Sequence, residues 1–114
     1  MVKKSNFPKR GDIYWVDLNP TIGVEINKTR PALIVSNDIA NEMARIIIIA
    51  PITSKIKTIY PFEVKVTLTG KDGKIMLNQC RAIDKLRLAE KIASMDLETM
   101  KLVEDAIKIA FGLS

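Results

Sequence analysis

Two short clusters in the sequence hold residues suited to working on an anion: Gly23, Glu25, Lys28, Arg30 and Pro31, then Pro51, Thr53, Ser54, Lys55 and Lys57. Arginine carries a planar, permanently charged fork that can grip two phosphate oxygens at once. The same permanence makes it a poor proton shuttle. Thr53, or Ser54 in its place, can donate to a phosphate oxygen, and Glu25 is the nearby carboxylate able to accept a proton if its loop folds toward Arg30. Other chemistries drop out by inventory. The chain has no histidine and a single cysteine, Cys80, which excludes a Ser/His/Asp arrangement, a paired-histidine ribonuclease site, a Cys/His zinc site and an internal disulfide. No metal-ligand cluster stands out, and no cofactor is called for. Gly23 lacks the glycine neighbours of a phosphate-cradling loop.

Each candidate also has a structural reading. Arg30 can anchor its loop by pairing with Glu25, and Thr53 can cap a backbone N–H at a strand end. Lys55 and Lys57 can be a solvated face. Gln79 can satisfy backbone groups, Cys80 can be a small buried hydrophobe, and Arg81 and Asp84 can pair to pin their segment. The Arg10-Gly11-Asp12 tripeptide reads as a turn into a strand.

The charge balance favours a polyanionic partner. With 18 Lys and Arg against 13 Asp and Glu, the net charge is +5 and the pI about 9.4. Each phosphate neutralised by such a surface releases condensed counterions. A length of 114 residues with 47% hydrophobic content fits one domain spanning 1–114 with its own core. No apolar segment is long enough for a signal peptide or a membrane span, so the cytoplasm is the expected compartment.

Short strands must position these groups. Residues 12–18 alternate with strand period, and Asn19 and Pro20 stop them. Pro31 opens an apolar run over 32–35 and holds Arg30 extended. Asn37 and Asp38 suit the cap of a helical turn through Met43. The β-branched run 45–50 predicts a central strand buried on both sides and ended by Pro51. Residues 53–60 form a basic loop, and 62–68 alternate with one wet face. Gly70 to Gly73 predict a hairpin connection into a strand over 74–79. Further short strands are expected at 81–84 and 91–93. Asp96 caps a final helix with Leu97, Met100, Val103, Ile107, Ala110 and Phe111 on one stripe. Leu102, Ala106, Ile109 and Leu113 widen that stripe, an excess that a dimer interface would partly cover. Many short strands and one terminal helix predict a mainly β, α+β fold built on a partly closed antiparallel barrel.

Segments spread along the chain, in order, resemble the MazF/PemK/Kid toxin endoribonucleases of type II toxin-antitoxin systems. GVEINKTRPALIVSN over 23–37 is similar to the family's G-x-E-x-x-x-x-R-P-x-L-I-V signature. APITSKI over 50–56 resembles its P-x-T-S segment, NQCRAIDKLRL over 78–88 its Q-x-R-x-I-D segment, and KRGDIYWVDLNPTIG its usual start. The resemblance implies an SH3-like barrel with a C-terminal helix, a homodimer, and metal-independent cleavage of single-stranded RNA such as mRNA at short preferred sequences. It further implies a small acidic antitoxin whose tail occupies the RNA groove. By motif position it assigns catalysis to Arg30 and Thr53, with Glu25 and Gln79 in support or RNA contact. Ser54, Lys55, Lys57 and Lys28 are RNA-contact candidates read from the residues themselves, as hydroxyl and basic groups beside those positions. Ile26 and Lys28 stand where many relatives have Gln and Gly. The Asp, Arg and His used by some Kid-like members align with Asn78, Met76 and Val24, so that mechanism does not transfer. A module on the same barrel that binds RNA, or blocks a protein such as a DNA topoisomerase, without cutting is the alternative reading.

Overall fold

A computed structural model describes residues 6–18 and 29–114; the candidates Glu25 and Lys28 lie outside this range. The described chain runs β1 (Asp12–Asp17), β2 (Thr29–Ile34), α1 (Asp38–Met43), β3 (Ile46–Thr53), β4 (Glu63–Leu68), β5 (Lys71–Met76), β6 (Arg81–Asp84), β7 (Leu88–Ser94) and α2 (Leu97–Phe111). Short 3-10 turns at Leu77–Gln79 and Lys85–Arg87 flank β6. The strands form a curled antiparallel half-barrel in the order β4-β5-β3-β2-β1-β7, with β6 added to β3, and α2 packs on it as the C-terminal helix. This is the mainly β architecture expected. No helix among the described residues is long and apolar enough to cross a membrane.

Two apolar clusters occupy the two faces of the central strands. Ile13, Leu33, Ala50, Ile52, Val64 and Ile75 meet Met100, Val103 and Ala106 of α2, while Val16, Ala32, Ile34, Ile47, Ile49 and Ile83 fill the other side. Strand alternation explains the split. In β2, Leu33 points one way and Ala32 and Ile34 the other, so the whole run is apolar because both faces are covered.

The isoleucine run departs from expectation in two ways. Ile47 and Ile49 are buried, but Ile46 and Ile48 remain 50% and 43% exposed. Their face continues into Ala50 and Ile52, which α2 covers, so the cover gives out toward the start of the strand. Pro51 does not end β3. The strand continues to Thr53 because its last residues pair with β5, Ile52 opposite Ile75 and Thr53 opposite Lys74. The hairpin also turns elsewhere. Leu68 pairs with Lys71, so Thr69 and Gly70 alone make the bend, with φ of 47° and 80°, as a type I′ turn requires. Gly73 therefore lies inside β5. Arg81 does not pair with Asp84; that carboxylate takes Arg45 at 2.8 Å.

β3 serves both β5 and β6 along one edge. Ile46 to Ile49 pair with Asp84 to Arg81 of β6, and three residues in the Leu77–Gln79 turn take up the slack between that register and the β5 register. The final helix starts as expected, with Asp96 accepting the Thr99 N–H at 2.7 Å. Hydrogen bonding from the Thr99 side chain, and then this bond from its backbone N–H, hold the carboxyl below the ordinary carboxylate range. Leu97 and Phe111 are exposed, and Ala106 takes the buried place on the stripe.

Candidate functional site

The site forms where two neighbouring strands part. β2 and β3 pair at Ile34 with Ile49, Leu33 with Ala50 and Ala32 with Pro51, and there the ladder stops. Two residues further on, the same register would set Arg30 opposite Thr53. Instead β2 continues against β1 alone, with Arg30 opposite Val16, and β3 continues against β5. Pro31 and Pro51 lack an N–H, so neither can donate into a longer ladder. The gap is a cleft of about 460 Å³ lined by Thr29, Arg30 and Pro31 on one side and Ile52, Thr53 and Ser54 on the other.

Three further elements close the cleft. Trp15 of β1 and Ile92 of β7 flank the Arg30 side, and the β4–β5 hairpin supplies Leu68, Thr69, Lys71, Asp72 and Gly73. The hairpin reaches the Thr53 side because Gly73 has no side chain. A Cβ there would stand 3.0 Å from the Thr53 carbonyl oxygen and 3.2 Å from Ile52 Cγ2, inside ordinary contact. Thr69 holds its left-handed conformation on this wall, a rare state for a β-branched residue.

The polar groups are presented differently. Thr53 is buried to 8% exposure, and its Oγ1 accepts the Lys55 N–H at 3.2 Å. Its own proton is thereby left to donate elsewhere, which a plain capping hydroxyl would share. Arg30 is half-buried and has no ion-pair partner among the described residues. Ser54, Lys55 and Lys57 are exposed at the start of the loop leaving β3. Gln79 is exposed on its 3-10 turn and is not part of the cleft lining. The structure thus brings Arg30, Thr53 and Ser54 together, places Lys55 and Lys57 just beyond them, and leaves Gln79 apart.

Trp15 and the hairpin wall escaped the sequence reading. Trp15 sits in an ordinary strand alternation, and its exposure depends on the end of the β2–β3 ladder. Cys80 is half-buried, and burial pushes its thiol pKa up, away from the thiolate a nucleophile needs. Among the described residues no group of three or more Cys, Asp or Glu side chains is placed to hold a metal ion. A half-buried arginine with no ion-pair partner among the described residues, lining the same open cleft as a buried hydroxyl, can bind a phosphodiester and stabilise charge on its phosphorus.

Residues 9–111 match a family described as the PemK-like, MazF-like toxins of type II toxin-antitoxin systems. The chain is 40% identical over 110 residues to endoribonuclease EndoA of Bacillus subtilis (strain 168), covering 92% of this chain and 95% of that protein. MazF from Deinococcus radiodurans superposes with a TM-score of 0.80 at 29% identity, over 96% of this chain and 100% of its own. A MazE-MazF structure from the same organism gives 0.77 at 26% identity, over 96% and 100%. In fold alone, a mycobacterial endoribonuclease in complex with its cognate antitoxin is equally similar, with a TM-score of 0.80 at 24% identity over 94% and 97%.

Proposed function

The chain belongs to the PemK-like, MazF-like toxins of type II toxin-antitoxin systems, and from that premise we propose that it is an endoribonuclease cutting single-stranded RNA, mRNA included, at the Arg30–Thr53 cleft. The observation that carries the site is the parting of β2 and β3, which leaves a guanidinium and a hydroxyl facing one opening. The 40% identity to a protein named an endoribonuclease supports the activity.

In this reading the RNA phosphate sits between the two. Arg30 holds two of its oxygens, and the Thr53 hydroxyl donates to one of them. The neighbouring 2'-oxygen attacks the phosphorus, its proton passing to the Glu25 carboxylate, while the bond from phosphorus to the 5'-oxygen breaks. The departing 5'-oxygen takes a proton from solvent. The products are a cyclic phosphate on one fragment and a free 5'-hydroxyl on the other. No step requires a metal or another cofactor. Ser54, Lys55, Lys57 and Lys28 meet flanking phosphates, and Gln79 touches RNA beyond the cleft.

The whole 1–114 stretch acts as one toxin domain in the cytoplasm, as a homodimer. More than half of the surface of Leu102, Ile109 and Leu113 is exposed, and a second copy would cover such residues. A small acidic antitoxin restrains the activity, in keeping with the antitoxin complexes formed by its structural relatives.

The test is to incubate the protein and its Arg30→Ala variant with a long RNA in EDTA and map the new ends. Discrete cuts bearing cyclic or 3'-phosphates are expected from the wild type, at a rate about 10²–10³-fold above the variant. Intact RNA with both proteins, or equal cutting by both, would sink the assignment.

A further inference from the structure

The loop 54–62 that carries Ser54, Lys55 and Lys57 is tied down from beneath, and we propose that Lys74 is a positioning residue that sets RNA affinity through this loop. The inference rests on the endoribonuclease reading of the cleft.

Lys74 lies on β5 directly opposite Thr53 and next to Gly73. A lysine is unexpected here, between the buried Gly73 and Ile75. Its side chain is 10% exposed and that of Glu63 5%, and the two meet at 2.8 Å. The ammonium also donates to the Thr58 carbonyl at 2.7 Å and lies 5.5 Å from the Tyr60 ring centre. Glu63 in turn accepts the Tyr60 N–H at 2.9 Å, and the Tyr60 ring stacks on Phe62 at 5.4 Å.

One buried ion pair therefore fastens the returning arm of the loop at two backbone points. The outgoing arm is held by the Lys55 N–H on Thr53. Between these fixings lie the side chains that reach for phosphates. Nothing places Lys74 itself against RNA, because its side chain is buried and its ammonium is engaged by Glu63 and the Thr58 carbonyl near the Tyr60 ring. Its effect is conformational: without the tie, the loop loses its order in the free protein and must regain it when RNA binds.

Replacing Lys74 alone would leave the Glu63 carboxylate buried and unpaired, which destabilises the fold. The discriminating protein is Lys74→Met combined with Glu63→Gln, which removes both charges and keeps an acceptor for the Tyr60 N–H. Three readings are taken: melting temperature, steady-state cleavage of a short single-stranded RNA at two salt concentrations, and trypsin cuts after Lys55 and Lys57 mapped by mass spectrometry. The double variant should remain folded, with kcat within about twofold and KM raised about tenfold, the equivalent of ordering roughly one backbone residue. KM should also depend less steeply on salt, and trypsin should cut the loop faster.

A folded double variant with wild-type KM and wild-type trypsin resistance overturns the proposal. So does a loss confined to kcat, which would put Lys74 in the chemistry. If the wild type cuts no RNA, the endoribonuclease reading fails, while the trypsin comparison still decides whether Lys74 orders the loop.

Discussion

Gly73→Ala offers a direct test of how the cleft is held together. The added methyl would stand 3.0 Å from the Thr53 carbonyl oxygen, which is backbone and cannot swing aside, and 3.2 Å from Ile52 Cγ2. Relief demands a separation of a few tenths of an ångström between β5 and the end of β3, where Ile52 and Thr53 make their pairs. Overpacking of this kind destabilises by about 1–3 kcal/mol. For a chain of this size that lowers the melting temperature by roughly 4–20 °C. The functional effect is separable from the loss of stability, because the displaced atoms belong to Thr53. A shift of about 1 Å at a reacting group can slow a reaction about 10²-fold, so a smaller one should lower kcat by roughly tenfold. Gly112→Ala is the control. Gly112 caps α2 at φ +69° with nothing within 4 Å, so an alanine there meets only the left-handed backbone penalty of about 1–2 kcal/mol. Both variants are assayed by thermal melting and by RNA cleavage well below either transition. Gly73→Ala should lose activity while folded, and Gly112→Ala should not. Equal activity in the two, at equal folded fraction, would refute the claim that close approach at Gly73 places Thr53.

Three other outcomes are expected. Thr53→Val keeps the shape and removes the hydroxyl; kcat for RNA cleavage should fall about 10²-fold, measured beside a melting curve that drops by only a few degrees. Thr69→Asn puts a residue suited to φ +47° at the first position of the hairpin turn, and should stabilise the protein by about 0.5–1 kcal/mol in urea titration. Asp96, with its folded-state pKa below the ordinary carboxylate range, contributes stability that is present at neutral pH and lost as pH falls through the carboxylate range toward its lowered value. Asp96→Asn keeps the cap without titrating, so its melting temperature should fall less than that of the wild type on acidification.

Much of this was legible in the residue order, and the failures share one cause. Strand period located β1 and β4, and Asp96 with its apolar stripe located α2, because those signals are local. The length of β3 and the exposure of Ile46 and Ile48 were not legible, since both depend on which neighbour lies alongside: β5 prolongs the strand past Pro51, and α2 does not reach the isoleucines. Gly73 looked like part of a turn because glycines usually are; its real use is close approach to a strand distant in sequence. At the site, motif order singled out Arg30 and Thr53. Trp15, the hairpin wall and the Lys74–Glu63 pair give no local signal, because each acquires meaning only when separate strands meet.

The two prolines where β2 and β3 part act as a stop on a zipper. Every further rung between these strands would add hydrogen bonds and bury apolar surface, and would draw Arg30 and Thr53 into a closed ladder. The chain forgoes that stabilisation at the place where an opening is useful, the usual exchange between robustness and activity. Selection for heat resistance alone should therefore favour replacements at Pro31 and Pro51 that let the strands close, yielding a sturdier barrel without the cleft proposed to take RNA.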